Sequence, residues 1–368
     1  MTYLLRRLLA VSALLAAPGA AQAQGTTITP DANEGSTRVA TRGANFLHIG
    51  VGARQQGMAG AAIGLSDGPS AIFWNPAGIS GNEGASALVS HMQLFGNSGI
   101  TNTAAAVTVA VGQGAFGFGF VQYSSGKIER TTERAPDGDD PAFPGTFAWH
   151  GTALSGHYSR NVTDRLSAGI GARYATEGIE FAKNGFFGVD ISTRFRTGLY
   201  GLTVGAALSN VGSSGQFSGP AVGEAITASR DNGQATGRDL PINYDTQDAL
   251  MPTAFKFGLL SSVIGSAESL MGTSADHSLA AEIDFNKAID SDLQSAIGLE
   301  YGFRRVYFLR AGKRFFNEQN SPWSFTDGLA VGGGARFPIM NRSLTFDYAF
   351  VSMGELRNNQ IFSFEIGQ

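Results

Sequence analysis

The sequence predicts an all-β fold, a 14-stranded antiparallel transmembrane β-barrel with a short N-terminal helical plug segment. From about residue 84 onward, apolar and polar residues alternate with a period of two, which is typical of strands with one apolar face. Most segments reach the roughly 9 to 11 residues that a tilted strand needs to cross a bilayer. Alternation alone also fits a soluble β-sandwich. The length of the strands and the alternation of long loops with short turns favour the barrel.

The first residues, 1–23, have the features of a cleavable secretory signal. Arg6 and Arg7 precede an apolar run at 8–17, and a small-residue cleavage motif ends at Ala23. The apolar run is about half as long as a transmembrane helix. We therefore expect export of a mature chain that begins at the next residue.

The composition narrows the class of protein. The chain has 50 glycines, 26 phenylalanines and only 15% charged residues, whereas soluble domains carry roughly 25% charged residues. It has no cysteine, which excludes a disulfide framework, a thiolate metal site and a cysteine nucleophile. Without the two signal arginines, 24 basic residues face 30 acidic ones, so nucleic acid is not an expected partner. A membrane barrel, with outer-membrane lipid around it, fits this composition.

The region 24–84 is expected to precede the barrel as a polar lead-in followed by a plug, or hatch, segment. The stretch 46–80 is crowded with Gly and Ala, which allow close backbone packing. Because the residue before a proline avoids the helical region, a first helical turn should stop near Trp74. Asn75 should then cap a second turn that starts at Pro76 and ends at Gly78. An ordinary helix-turn-helix linker is the alternative.

Within this segment we expect small residues to allow contact with the barrel wall, and Phe73 and Trp74 to anchor the segment in the lumen. The candidate plug residues are Gly52, Arg54, Gly57, Met58, Gly60, Phe73, Trp74, Asn75, Pro76, Ala77 and Gly78.

The barrel itself is expected to occupy 85–368. In one segment, Leu344, Phe346 and Tyr348 share a face opposite Thr345 and Asp347. The predicted strands are 86–95, 101–111, 115–124, 145–160, 165–176, 187–196, 198–211, 251–262, 276–287, 292–303, 305–315, 325–337, 342–352 and 358–367.

The connections between these strands alternate in length, as in bacterial outer-membrane barrels with long outer loops and short periplasmic turns. The odd-numbered connections predicted to be long include 126–144, 177–186, 212–250 and 316–324. Three connections break the pattern, at 96–100, near Ala288 and at 263–276. The parity predicts an outer-membrane location with both termini periplasmic.

Chemical motifs give no support for an enzyme. Gly112, Gly114 and Gly117 fit a dinucleotide pattern, but the chain continues as a strand, so a tight turn is the better interpretation. The histidines show no metal-ligand spacing, and no metal or other cofactor is expected. Glu282, Asp284 and Glu300 fall on the predicted lumenal face. They could form a catalytic or ion-selecting cluster, but lining a hydrated interior is the simpler role.

Several short blocks carry a resemblance to a known family. They are 46–47, 49–54, 57–61 and 70–78, the last containing Asn75-Pro76-Ala77-Gly78, together with 347–350 and 354–356. The chain resembles the PorV/PorQ family, which is similar in turn to the broader FadL-like group of outer-membrane barrels. That resemblance implies fourteen strands and an N-terminal segment folded into the lumen.

The resemblance leaves two functions open. A PorV-like protein would handle exported proteins that carry a C-terminal signal domain in type IX secretion, with these cargo proteins and other type IX components as partners. A FadL-like protein would transport hydrophobic small molecules across the outer membrane. An accessory barrel without a substrate is the third possibility.

Overall fold

The fold is known from a computed structural model, which describes residues 41–142, 144–227, 239–316 and 326–367. The predicted signal peptide and nearly all of the lead-in lie outside the described residues. Within the described ranges, no helix is both long enough and apolar enough to span a membrane.

Fourteen antiparallel strands form one closed barrel, in which each strand pairs with its neighbours along the chain and the last strand pairs with the first. The strands are β1 (Ala85–Gln93), β2 (Thr101–Val111), β3 (Gly114–Ser124), β4 (Trp149–Asn161), β5 (Leu166–Ile179), β6 (Ala182–Arg196), β7 (Leu202–Gly212), β8 (Ala254–Ile264), β9 (His277–Ala288), β10 (Gln294–Phe303), β11 (Tyr307–Phe315), β12 (Leu329–Ile339), β13 (Arg342–Ser352) and β14 (Asn358–Gly367). The predicted fold class is confirmed. Closure leaves no unpaired sheet edge, as the bilayer interior requires.

The alternation of residues sorts side chains between the lipid side and the lumen. In β3, Phe116 and Phe118 are exposed on the outside while Gly117 is buried inside. In β10, Leu299 is exposed and Glu300 is buried. The outer faces of neighbouring strands also carry aromatic pairs, such as Phe346 with Phe364, whose ring centroids are 4.9 Å apart. The core of the molecule therefore lies inside the barrel.

The connections divide the barrel into two ends. The long-loop rim carries the connections 125–148, 213–253 and 316–328, and the short-turn rim carries tight turns such as 112–113 and 340–341. The connection 265–276 is the long exception on the short-turn rim, as the sequence suggested. Small two-stranded sheets decorate the long connections: Ile128–Glu129 with Thr146–Phe147, Ser214–Gly215 with Ala249–Leu250, and Gly223–Thr227 with Asp239–Asn243.

The prediction of a long loop at 177–186 is wrong. The region 177–186 is a tight hairpin, because β5 and β6 remain paired as far as Ile179 and Ala182. Only the two residues 180–181 connect the strands, and Glu180 adopts a left-handed φ of 47° that closes the turn. This hairpin extends the wall at the long-loop rim.

Residues 41–84, which we call the lumenal segment, run through the inside of the barrel. Gly43 N donates to Leu250 O at the long-loop rim, over 3.0 Å, and Gly84 O accepts from Ala110 N at the short-turn rim, over 2.8 Å. The first described residues and Gly367 therefore lie at opposite rims. Because residues 1–40 lie outside the described part, a shared periplasmic side for both termini stays a prediction.

Candidate functional site in the barrel lumen

The lumenal segment is a series of short helices joined by tight turns. Its α-helices are α1 (Ala53–Gly57) and α2 (Ala71–Trp74), and its 3-10 helices are Asn45–His48, Gly68–Ser70 and Pro76–Gly81. With so few internal hydrogen bonds, helices this short depend on contacts with their surroundings. The barrel wall supplies those contacts.

Asn75 joins two parts of the segment to the wall. Its side chain is fully buried; Oδ1 accepts from Ala77 N over 3.2 Å, while Nδ2 donates to Ile63 O at 2.9 Å and to Thr193 O at 3.1 Å. The predicted stop at Trp74 and the predicted cap at Asn75 match the geometry of the structure. One side chain thus fixes a turn, a distant part of the segment and strand β6.

The second turn does not end at Gly78, as the sequence suggested, but continues to Gly81. Ser80 Oγ lies within hydrogen-bond distance of Ala77 O, at 3.0 Å, and of Asn161 Oδ1, at 2.9 Å, which holds the extra residues against β4. A side chain at Gly78 would overlap the Ser66 carbonyl. Gly78 is therefore needed for close packing and not for ending a helix.

A carboxylate pair on β9 binds four consecutive amides of the lumenal segment, and we call this contact the amide latch. Asp284 Oδ2 accepts from Ala62 N at 2.6 Å and from Ile63 N at 3.0 Å. Glu282 accepts from Gly64 N and, through Oε2, from Leu65 N at 3.1 Å. Both carboxylates are buried. Amide donors of this kind compensate the loss of water around a buried carboxylate.

A second charged cluster joins α1 to the wall strands β10, β11 and β13. Arg54 makes two 2.9 Å hydrogen bonds to Glu300 and one of 2.8 Å to Asp67, and Arg310 links Glu300 at 2.7 Å to Asp347 at 2.6 Å. Burial lowers the pKa of the Arg54 guanidinium, but Glu300 and Asp67 outweigh it and hold that pKa well above its ordinary value. Arg54 therefore stays charged, as this cluster requires.

Glycines of the wall make room for the segment. A Cβ on Gly298 would lie 2.7 Å from Met58 Cβ, and one on Gly258 would lie 2.8 Å from Ile63 Cβ. Gly57 faces Gly332 so closely that its own Cβ would lie 3.2 Å from the Gly332 Cα. The predicted contact of Gly57 with the wall is present, and it needs a glycine on both sides.

The remaining candidate residues lie in the same contact zone. Gly52 and Gly60 adopt positive φ angles of 97° and 84°. Trp74 Nε1 donates to Val51 O over 2.7 Å, so the indole joins two parts of the lumenal segment. Pro76 and Ala77 lie against Gly169 of the wall. Phe73 is half-buried beside Gly119.

An aromatic anchor on the wall was missed by the sequence interpretation. Phe46 is buried, and its ring centroid lies 6.0 Å from that of Trp149 and 6.5 Å from that of Tyr123. The amide latch was missed as well, although Glu282 and Asp284 were correctly placed on the lumenal face. The alternation of apolar and polar residues predicts which side chains of a strand face the lumen, but it does not predict which groups those side chains contact.

A cavity of about 70 Å³ lies between the segment and the wall, near the long-loop rim. Leu47, Ile49 and Phe73 form an apolar strip along one side of it. On the other side, Lys256 Nζ lies 5.8 Å from the centre of the Trp74 ring, a cation–π contact. The further lining residues include His48, Gly50, Gly60, Ile63, Asp284, Asn286, Gln294 and Arg314. The cavity thus combines an apolar surface with two cations, Lys256 and Arg314, and the carboxyl group of Asp284.

The histidines of the described part form ordinary polar contacts. His157 Nε2 lies 3.0 Å from Asp190 in the wall, whereas His150, on the same strand, faces outward. His48, in the lumenal segment, lies 3.5 Å from Asp290 and holds the pKa of that carboxyl below its ordinary value. Among the described residues, no three His, Cys, Asp or Glu side chains form a group that could bind a metal.

Comparison with known proteins gives similarity at the level of structure. No protein-family model and no curated protein matches the sequence. The toluene transporter TodX of Pseudomonas putida has a TM-score of 0.52 at 13% identity, covering 86% of this chain and 96% of TodX. The monoaromatic hydrocarbon channel CymD has a TM-score of 0.52 at 12% identity, covering 86% of this chain and 96% of CymD.

The fold is that of FadL-like outer-membrane barrels. At these identities the similarity concerns the fold alone. These two structures bear the names of a toluene transporter and a monoaromatic hydrocarbon channel. The resemblance to the PorV/PorQ family therefore rests on the sequence blocks alone.

Proposed function

We propose that the protein is a FadL-like channel that transports small hydrophobic molecules across the bacterial outer membrane. The observation that carries this proposal is the cavity beside the lumenal segment, where Leu47, Ile49 and Phe73 offer an apolar surface inside a barrel of transporter fold. Binding sites for small molecules combine such a surface with a few placed polar groups. The names of the structural neighbours agree with this class of substrate.

The lumenal segment acts in this proposal as the plug that controls passage. It makes contact with wall strands around the barrel, and the amide latch and the Arg54 cluster hold it at two separate places. Because the latch and the Arg54 cluster are polar, water that enters the lumen can replace their hydrogen bonds. Opening therefore requires movement of the segment while the barrel stays folded.

The two cations of the cavity, Lys256 and Arg314, suggest the chemical class of the preferred ligand. Within the described part, Lys256 Nζ makes no hydrogen bond or ion pair, and Arg314 Nε donates to Ala59 O over 3.0 Å. An apolar molecule with a carboxylate or other acidic end would place its body on the Leu47–Phe73 side and its charge beside Lys256. We take such an amphipathic acid as the ligand to test first.

Binding of decanoate and of toluene to the purified protein tests this proposal, with the fluorescence of Trp74 beside the cavity as the signal. Lys256→Met should weaken decanoate binding about tenfold, since one charge-assisted contact is worth ~1.5 kcal/mol, and should leave toluene binding unchanged. Lys287→Met, an exposed change on β9, is the matched control. Absence of saturable binding of either probe to the wild-type protein would contradict the proposal.

A role in type IX secretion remains a second candidate because of the Gly52-Ala53-Arg54 and Asn75-Pro76-Ala77-Gly78 blocks. Deletion of the gene distinguishes the two functions. A PorV-like role predicts that cargo with a C-terminal signal domain accumulates unprocessed in the periplasm. The transport role predicts normal cargo export and slower uptake of hydrophobic compounds.

A further inference from the structure

A second, smaller cavity lies inside the barrel beside the one described above, and we call it the side cavity. Its volume is about 20 Å³. Leu47, Ile49 and Phe73 line both cavities. The other residues of the side cavity come from the lumenal segment and from β3, β4 and β5, and they are Phe46, Val51, Val121, Ala153, Ser155 and Arg173. The three shared side chains therefore form a partition with one cavity on each side.

Phe73 is the residue of the partition that contacts both sides and the wall. It packs against the apolar cluster that contains Ile63 and Trp74, which line the first cavity. It also packs against the cluster that contains Val121, which lines the side cavity. The ring reaches β3, because a Cβ on Gly119 would lie 3.2 Å from Phe73 Cε1. The ring thus extends from the lumenal segment to the wall between the two cavities.

Phe73 is also the least tightly packed residue of α2. Ala71, Ile72 and Trp74 are 0%, 1% and 8% exposed, whereas Phe73 is only half-buried. Because Phe73 lies inside the barrel and lines both cavities, the exposed part of its ring faces them. A ligand in the first cavity would therefore contact this ring directly.

The two cavities differ in the charge that they offer to a ligand. Lys256 lies in the first cavity and forms no hydrogen bond or ion pair within the described residues. The cation of the side cavity, Arg173, is already paired with Asp190 at 3.1 Å. The wall of the side cavity is apolar where Val121 lies directly opposite Ala153 on the neighbouring strand. An acid with its carboxylate beside Lys256 would therefore direct the end of its alkyl chain towards the side cavity.

We propose that Phe73 sets the length of the alkyl chain that the channel accepts. With the ring in place, the chain of an acid bound beside Lys256 ends at the partition. Without the ring, the two cavities join, and a longer chain reaches Val121 and Ala153. This inference rests on the proposed function, because it concerns the ligand of the same site. Phe73 is then the residue that determines specificity for chain length.

Calorimetric titration of the purified protein with saturated acids from hexanoate to hexadecanoate tests the proposal. For the wild type, each added methylene should strengthen binding about fourfold until the chain reaches the partition, after which the affinity should level off. Phe73→Ala should move this limit to longer acids, so that two methylenes beyond the wild-type limit still strengthen binding about 15-fold. Phe73→Leu removes less of the partition and should move the limit in the same direction by a smaller amount.

Two further variants separate this role from a general loosening of the lumenal segment. Val121→Phe, added to Phe73→Ala, places an aromatic ring in the side cavity and should restore the wild-type limit. A loosened segment would not respond to a change in the wall. Phe118→Ala removes a ring from the outer face of β3, where it is 62% exposed, and should leave the chain-length profile unchanged.

The outcomes distinguish this inference from the proposed function. If the wild type binds the acids and Phe73→Ala shows the same chain-length limit, the inference is overturned and the proposed function stands. A limit that stays long after the addition of Val121→Phe would also overturn the inference. If the wild type binds none of the acids, the proposed function is contradicted, and the inference that rests on it fails as well.

Discussion

Neutralising the amide latch should free the lumenal segment without unfolding the barrel. The change is Glu282→Gln with Asp284→Asn, which keeps the size of both side chains. Four backbone amides, at 62–65, then lose a charged acceptor. A hydrogen bond to a charged group contributes about 1 kcal/mol more than one to a neutral group, so the four together amount to ~4 kcal/mol.

Part of this loss is offset. The side chains of Glu282 and Asp284 lie within hydrogen-bond reach of each other on one face of β9, and the repulsion of two charges ~5 Å apart at an effective dielectric constant of about 20 is ~3 kcal/mol. The amide side chains remove that repulsion. A net change of ~1 kcal/mol should raise the population of the released segment about fivefold.

Hydrogen exchange of the peptide containing 62–65 measures this population directly, because these amides exchange only when the latch opens. The double variant should exchange about fivefold faster, while amides in the barrel strands keep their protection. Asp292→Asn, an exposed carboxylate on the connection 289–293, is the control and should change nothing. Exchange of 62–65 at the wild-type rate in the double variant would refute the role of the carboxylate pair.

Three further changes act on other contacts of the lumenal segment. Asn75→Ala removes a helix cap and leaves buried carbonyls unpaired, at a cost of about 2 to 3 kcal/mol. Proteases should therefore cleave the lumenal segment faster, while the heat-dependent migration of the barrel in gels stays unchanged. Gly60→Leu places a side chain at a φ of 84° and within 2.6 Å of an Arg314 nitrogen, so it should alter ligand binding in the cavity; wild-type binding would contradict this. Because the pKa of Asp290 is lowered in the folded protein, its carboxylate stabilises the fold fully above the unfolded pKa of ~3.9, and this stabilisation is lost as pH falls through the folded pKa. His48→Ala should raise the pKa of Asp290 measured by carboxyl NMR. An unchanged pKa would exclude the contact between His48 and Asp290.

The fold could be predicted from the sequence because the bilayer imposes a simple rule on every strand. Residues facing lipid must be apolar and the strand must span a fixed thickness, so alternation and length are visible in each segment by itself. The predicted strands 101–111, 342–352 and 358–367 coincide with β2, β13 and β14. The cap at Asn75 was also predictable, because the Asn-Pro pair acts through local backbone geometry.

Contacts between distant parts of the chain were decided only by the tertiary structure. The length of the β5–β6 hairpin depends on pairing across strands, so the prediction of a long loop at 177–186 was wrong. The latch joins amides at 62–65 to Glu282 and Asp284, more than 200 residues away, and backbone amides leave no mark in the sequence. The sequence by itself determined which faces point to lipid and which to the lumen; barrel closure determined which lumenal groups meet, because it brings every strand around the same enclosed segment.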